Sequence, residues 1–275
     1  MGQDDPYRGD RSPSPEWDEF AESSTTIPVR AVVADWDSCV AMLGTDLERT
    51  EAILRAVATV AAEDPEAVVQ TADDIAMFVT AEATNVRQQA TLALARLAES
   101  YPTDVVCAVD DLGVCLANTP DLPSRRRAAS VLAHVARESP YAVRQVADAL
   151  VPRLDDEDEV VRDAAAIALG RIVLARAFPV DLDADVDAVL SSYAGALAGR
   201  LQRSITSDQL VESAAEGAEL DEVLDELAGF DDLQADLGVV LDAVDTAAVH
   251  GGLAPEPLRQ RVDTVAGRVL ETVAR

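Results

Sequence analysis

The stretch VRQQATLALARLAESYP at residues 86–102 is followed by two similar stretches, SRRRAASVLAHVARESP at 124–140 and VRDAAAIALGRIVLA at 161–175. A looser copy, ERTEAILRAVATVAAEDP, occupies residues 48–65. The three later copies share apolar residues at positions i, i+4 and i+7: Ala90, Leu94 and Leu97; Ala128, Leu132 and Val135; Ala165, Leu169 and Ile172. Because this spacing places side chains on one face of an α-helix, each copy is predicted to be an amphipathic helix.

A second kind of helix lies between these copies and begins at a proline, at Pro65, Pro102 and Pro140. Proline is tolerated in the first helical turn because its missing N–H would have no partner there. These segments also share apolar positions: Val68, Val105 and Val143; Ile75, Leu112 and Leu150; Val79, Leu116 and Leu154. A period of about 40 residues with two amphipathic helices in each unit predicts a helical solenoid, in which neighbouring hairpins cover each other's apolar faces.

An apolar residue, then Arg, then alanine opens two of the copies, as Val86-Arg87 with Ala90 and as Val161-Arg162 with Ala165. Ser124-Arg125 with Ala128 is a weaker copy. On these residues, the segment from about 45 to 176 resembles the HEAT-repeat family, including its phycobilisome-lyase-type members. The resemblance implies that the Arg-bearing helix is the second of each hairpin and lines a concave face.

The same resemblance implies a ladder between repeats, in which an Asp in the turn of a hairpin pairs with the Arg of the second helix. We therefore expect Asp156 or Asp158 to pair with Arg162. In the earliest copy Thr50 stands where Arg is expected, which indicates a capping repeat.

The predicted fold is all-α, a right-handed α-solenoid of about four HEAT-type helical hairpins with a helical C-terminal cap or subdomain. Three regions are expected. Residues 1–26 are a disordered acidic tail because they carry Pro, Ser, Asp and Glu without periodicity. Residues 27–203 form the repeats with an N-terminal capping hairpin, and 204–275 form an acidic helical C-terminal subdomain.

The charge balance is extreme, with 51 acidic residues against 22 basic ones and a formal net charge of −29. All of the basic residues are Arg, and there is no Lys. We interpret this composition as a haloarchaeal-type adaptation to high salt, since salt screens the self-repulsion of a charged surface. The alternatives are mimicry of nucleic acid and attraction to a basic partner. The overall charge disfavours binding to a phosphate backbone, which depends on cations.

The residues that carry enzyme chemistry are scarce. The two histidines are His134 and His250, and the sequence places no nucleophile or acid beside either. Cys39, Cys107 and Cys115 fit no metal motif and are predicted to be reduced and buried. No phosphate loop, dinucleotide fingerprint or zinc-protease motif is present. The sequence therefore predicts no enzyme, cofactor or metal site. It also lacks a signal peptide and a charge-free apolar span, so a cytoplasmic protein is expected.

Two sets of residues are candidates for binding a partner. The second helices hold 11 of the Arg residues against 7 acids. Arg96, His134 and Arg171 share one position that we expect to point outward, and Arg126 and Arg127 lie close by. This face fits an acidic partner, although pairing of these Arg residues with nearby acids is the simpler interpretation. The second set is the row of acids Asp73, Asp110 and Asp148 on the first helices, which would take a basic segment or hydrated cations or simply face solvent.

The leading functional hypothesis is a non-catalytic scaffold or adaptor that binds another protein through the concave helical face. One alternative is a lyase-type or other enzyme accessory role, which the resemblance alone suggests. The other is a nucleic-acid-associated HEAT-like protein. The sequence leaves the identity of the partner and the oligomeric state open.

Overall fold

The computed structural model describes residues 29–175, residue 185, and residues 188–193 and 195–197. Throughout these ranges the regular structure is helical, with no strand. The predicted tail at 1–26 and the predicted subdomain at 204–275 lie outside the described residues, as does His250.

Four long helices form one layer of the protein, here called the long-helix layer. They are α3 (Leu47–Glu63), α5 (Thr84–Ser100), α7 (Leu122–Glu138) and α10 (Glu159–Leu174). Consecutive members pack side by side, α3 on α5, α5 on α7 and α7 on α10. Three of them begin at an aspartate whose side chain accepts a hydrogen bond from a backbone N–H of the first turn, at Asp46, Asp121 and Asp158. Such N-caps explain why the copies start where they do.

The proline-led segments form a second layer, the short-helix layer, and each is broken into pieces. A 3-10 segment, Pro65–Thr71, precedes α4 (Ala72–Ala76), and another, Val106–Ala108, precedes α6 (Val109–Asn118). The third contains α8 (Pro140–Arg144), α9 (Ala147–Leu150) and a 3-10 segment, Val151–Asp155. Neighbouring units contact each other, since α4 packs on Val106–Ala108 and α6 packs on α9.

Two short helices at the start of the described chain, α1 (Val29–Ala34) and α2 (Trp36–Met42), pack on α3. The indole Nε1 of Trp36 donates a hydrogen bond of 2.7 Å to Asp74 Oδ2 and so ties α2 to α4 of the next unit. In place of the repeated Arg, Thr50 accepts from the N–H of Gly44 and donates to Asp46 O, which closes the turn before α3. Four hairpins are therefore present in the described chain, and the predicted solenoid is confirmed.

The residues that were predicted to be equivalent form the core. Leu94, Leu132 and Leu169 are fully buried. The alanines that precede them by four positions are buried as well, and so are the valines that follow Pro65, Pro102 and Pro140 by three positions. Of the predicted apolar positions in both kinds of helix, Leu154 alone is only half-buried. The shared spacing thus packs each hairpin against its neighbours, and this burial is the main term that stabilises the stack.

An Arg–Asp ladder joins the hairpins, but it connects different residues from those expected. Arg87 donates to Asp121 Oδ2 through Nε (2.8 Å) and Nη2 (2.6 Å). Arg125 Nε lies 3.1 Å from Asp156 Oδ2 in the same way. Each Arg therefore reaches the aspartate of the following hairpin. The predicted pairing of Arg162 with Asp156 or Asp158 is wrong, because Arg162 donates to the backbone oxygens of Asp156 and Glu157.

The three cysteines do not share one environment. Cys39 and Cys115 are buried in the core, as predicted, whereas Cys107 is exposed. The prediction for Cys107 is therefore wrong. Cys107 lies in the 3-10 segment Val106–Ala108 that precedes α6, whereas Cys115 lies within α6, so the two cysteines do not occupy one regular helix with a single buried face.

Candidate interaction surface

Three equivalent positions on α5, α7 and α10 differ in how accessible they are. On α5 they are Gln89, Leu92 and Arg96, on α7 they are Arg127, Ser130 and His134, and on α10 they are Ala164, Ile167 and Arg171. All six on α5 and α7 are half-buried, whereas the three on α10 are buried. Of these nine positions, the accessible ones are therefore those on α5 and α7, and we call these six residues the open strip.

The buried position on α10 corrects one expectation. Arg171 is only 5% exposed, so the prediction that it points outward is wrong. Its guanidinium donates to the backbone oxygen of Ala133 on α7. At the side of α10 an added Cβ on Gly170 would lie 2.3 Å from the ring of Tyr193, so a later segment covers this helix. Arg171 therefore joins two helices and is not available to a partner.

Arg96 makes the equivalent contact one repeat earlier but remains half-buried. Its guanidinium donates to the backbone oxygen of Ala58 on α3, just as Arg171 reaches α7. Arg127 Nη1 donates to Gln88 O on α5 at 2.8 Å. Neither Arg96 nor Arg127 forms an ion pair with a described carboxylate. Their guanidinium groups are therefore held in place by backbone oxygens and not by carboxylates.

The electrostatics of Arg127 show that it lies close to Arg96. Burial lowers the pKa of Arg127, the negative charge of Asp121 acts in the opposite direction, and the nearby charge of Arg96 lowers the pKa by a smaller amount than Asp121 raises it. Two guanidinium groups that repel each other on a partly buried surface would be stabilised by an added negative charge. His134, which corresponds to Arg96 on the next helix, is half-buried in the same strip.

Several other Arg residues near the strip are paired, as the simpler interpretation of the sequence anticipated. Arg126 donates to both oxygens of Asp158, at 2.9 and 2.5 Å, and 46% of its side chain is exposed. Arg137 contacts Glu138, and Arg153 contacts Asp156 at 3.2 Å. The exposed pairs of Arg126 and Arg137 add little to stability, whereas the Asp156 carboxylate is buried. The Arg side chains of the strip, Arg96 and Arg127, are thus the ones held without such a pair.

The acidic row of the other layer is exposed as a set, at Asp73, Asp110 and Asp148. Sequence reasoning missed the apolar residue that follows each acid by four positions, at Met77, Val114 and Pro152. Met77 is 67% exposed and Val114 is 51% exposed. The spacing of four residues in each repeat was the signal that could have found them.

Two features are absent from the part of the chain that the structure describes. No three His, Cys, Asp or Glu side chains there are grouped so that they could hold a metal ion. None of the described helices is long and apolar enough to cross a lipid bilayer.

Comparisons with known proteins agree with a repeat architecture. Residues 123–172, from α7 to α10, match the family described as HEAT-like repeat. No curated protein matches the sequence. Among solved structures, the chain is similar to an engineered protein at 19% identity and a TM-score of 0.46, over 87% of this chain and 96% of that one. It is also similar to a designed armadillo repeat protein in complex with the peptide (KR)4, at 16% identity and a TM-score of 0.48, over 84% of this chain and 98% of that one.

Proposed function

We propose that this protein is a non-catalytic scaffold that binds another protein through the open strip of α5 and α7, with an acidic segment of the partner lying against Arg96 and Arg127. The observation that carries the proposal is the composition of the strip. Its six residues include two Arg and one His but no acid, in a chain whose net charge is −29. Acids are abundant enough elsewhere that their absence here favours a surface for negative charge.

The setting of these residues supports recognition by a rigid surface. The guanidinium groups are fixed by backbone oxygens of neighbouring helices, so little side-chain entropy would be lost on binding. Leu92 and Ser130 occupy the middle position of the strip on each helix. Both side chains are half-buried, so part of their surface is available for contact with a partner. Of the remaining predicted residues, His134 belongs to the open strip, whereas Arg126 is paired with Asp158 outside it and Arg171 is buried.

A protein partner is favoured over a nucleic acid by the number of available cations. Binding to a phosphate backbone relies on several contacts from cationic side chains. In this layer five of the described Arg side chains are held in ion pairs: Arg55 with Glu51, Arg87 with Asp121, Arg125 with Asp156, Arg126 with Asp158 and Arg137 with Glu138. A local anionic segment of a protein requires only the two charges that the strip provides. The acidic composition further supports our proposal that binding takes place in a cytoplasm of high ionic strength.

The test is site-specific cross-linking followed by measurement of affinity. A photo-reactive residue at Ser130 is exposed to cell extract at molar salt, and the same residue at the exposed Thr103 of the other layer is the control. The expected result is a protein that cross-links at Ser130 and not at position 103. Arg96→Gln with Arg127→Gln should then weaken binding of that purified protein by about tenfold or more.

The matched control is Arg144→Gln, since Arg144 is half-buried on α8 and lies outside the strip. This variant also removes a positive charge, but its affinity for the partner should be unchanged. Equal cross-linking at both positions, cross-linking to nucleic acid alone, or equal weakening by Arg144→Gln would overturn the proposal. Circular dichroism of the double variant checks that the loss of two contacts to backbone oxygens leaves the helices intact.

A further inference from the structure

The short-helix layer presents an apolar and acidic surface of its own, here called the outer ridge. It consists of one acid and one apolar residue from each of three successive units: Asp73 and Met77, Asp110 and Val114, Asp148 and Pro152. All six residues are exposed. Exposed apolar side chains are individually ordinary, but these recur at equivalent positions of adjacent units and so form a continuous line.

In each of the three units the apolar residue follows the acid by four positions. On α6, Asp110 and Val114 lie one turn apart on the same face. The units are in direct contact, since α4, which carries Asp73, packs on Val106–Ala108 of the next unit. The ridge therefore continues across the boundary between units.

In two of the three units, the charged residues of the short-helix layer are all acidic. From position 56 to position 86 and from 97 to 124 the sequence contains no basic residue. Neither Asp110 nor Asp148 forms a hydrogen bond or an ion pair with a described residue. Their carboxylates are therefore not neutralised within the layer.

We infer that the outer ridge is a second docking surface, and that its occupant is a basic amphipathic helix of a protein partner. Such a helix carries an apolar stripe beside a row of Arg or Lys side chains, which matches the two parallel lines of the ridge. The apolar stripe covers Met77 and Val114, and the cations lie against Asp73, Asp110 and Asp148. This surface is separate from the open strip, so it does not depend on the function proposed above.

The experiment measures binding of a synthetic probe to the full chain. The probe is a fluorescent amphipathic peptide of roughly 18 residues, built from Leu, Ala and Arg, and its binding is followed by anisotropy at about 1 M salt, where unspecific attraction is screened. We expect Val114→Ser with Met77→Ser to weaken binding about tenfold. Val160→Ser should have no effect, since Val160 is 50% exposed but lies on α10.

A second pair of variants tests whether binding of the peptide depends on the acids of the ridge or on the net charge of the whole chain. Asp73→Asn with Asp110→Asn and Asp148→Asn should weaken binding, whereas Glu48→Gln with Glu63→Gln and Glu82→Gln, which removes three exposed acids elsewhere, should not. Bound peptide should also protect Cys107 from alkylation, because this exposed cysteine lies in the segment Val106–Ala108 that packs on α4, between Asp73 and Asp110 of the ridge along the chain. Equal weakening by both triple variants, no loss in the Val114 and Met77 variant, or no protection of Cys107 would overturn the inference.

Discussion

At the scale of single residues, Asp121 has two structural roles. Its Oδ1 accepts from the Ser124 N–H at 3.0 Å and caps α7, while its Oδ2 accepts from Arg87 of the preceding hairpin. Asp121→Ala removes the cap and leaves the buried Arg87 without its counter-ion, so we expect the free energy of unfolding to fall by about 3–5 kcal/mol. Denaturant unfolding of Asp121→Ala and Asp121→Asn provides the measurement. Asn can still cap the helix, so Asp121→Asn should lower the free energy of unfolding by less than Asp121→Ala does.

The same carboxylate makes the stability depend on pH. Burial acts to raise the pKa of Asp121, but hydrogen bonds from Ser124, Arg87 and Gln88 outweigh it and hold the pKa well below the usual range. Because the pKa is lower in the folded state, the stabilisation is complete above the unfolded value of about 3.9 and is lost as the pH falls below it. The difference in thermal midpoint between the wild type and Asp121→Asn should thus narrow from pH 5 towards pH 2. A constant difference would contradict this assignment.

Cys107 is exposed but is expected to react slowly. Partial burial of its sulfur raises the pKa, and the hydrogen bond and negative charge of Asp73 raise it further, to about 12. Because the thiolate is the reactive form, alkylation near pH 8 should be slower than that of a free thiol. Asp73→Asn should accelerate it by about tenfold or more, as followed by mass spectrometry. Cys39 and Cys115 are buried internal controls, and an unchanged rate in Asp73→Asn would refute the contact.

At the scale of helices, the sequence predicted the long members and their buried faces because a spacing of i, i+4 and i+7 is a local property. It did not predict the breaks in the short-helix layer, where β-branched residues such as Val68 and Val69 have weak helix preference and packing decides the local twist. The ladder partners were also missed, since they depend on how far one hairpin is displaced against the next. The burial of Arg171 was readable in part, because α10 is apolar on every side around Ala164, Ile167 and Gly170.

Close approach of neighbouring units depends on a glycine in α6. A Cβ added to Gly113 would lie 2.6 Å from Val146 Cγ1 and 2.8 Å from Val146 Cβ. Gly113→Ala should therefore destabilise the protein by about 1–3 kcal/mol through overpacking, even though alanine favours the helix. Gly195→Ala is the matched control, since nothing lies within 4 Å of its added Cβ, and it should be neutral or slightly stabilising.

A double-variant cycle tests the cause of this loss. In the background of Val146→Ala there is room for the added methyl group, so Gly113→Ala should cost much less there than in the wild type. Chemical unfolding of the four proteins gives the coupling free energy. An equal cost in both backgrounds would show that Val146 is not the group that excludes a side chain at position 113.

At the scale of the whole molecule, the two layers differ in charge although they share one period. The long-helix layer gathers the Arg residues in ladders and in the open strip, while the short-helix layer is acidic along the outer ridge. Each layer repeats its surface chemistry because the hairpins repeat their sequence. A solenoid of this kind can therefore hold two partners of opposite charge on separate faces, and the two binding experiments above test the faces independently.

The net charge of −29 also determines how the folded chain responds to salt. Self-repulsion of the acids favours expansion at low ionic strength, and it is screened as the Debye length falls from about 10 Å at 0.1 M to about 3 Å at 1 M. We therefore expect the thermal midpoint to rise when KCl is increased over this range. Sucrose at matched osmolality is the control, because it strengthens burial without screening charge. If KCl lowers the midpoint or raises it no more than sucrose does, then repulsion among the acids does not limit stability, and the interpretation of the composition as salt adaptation fails.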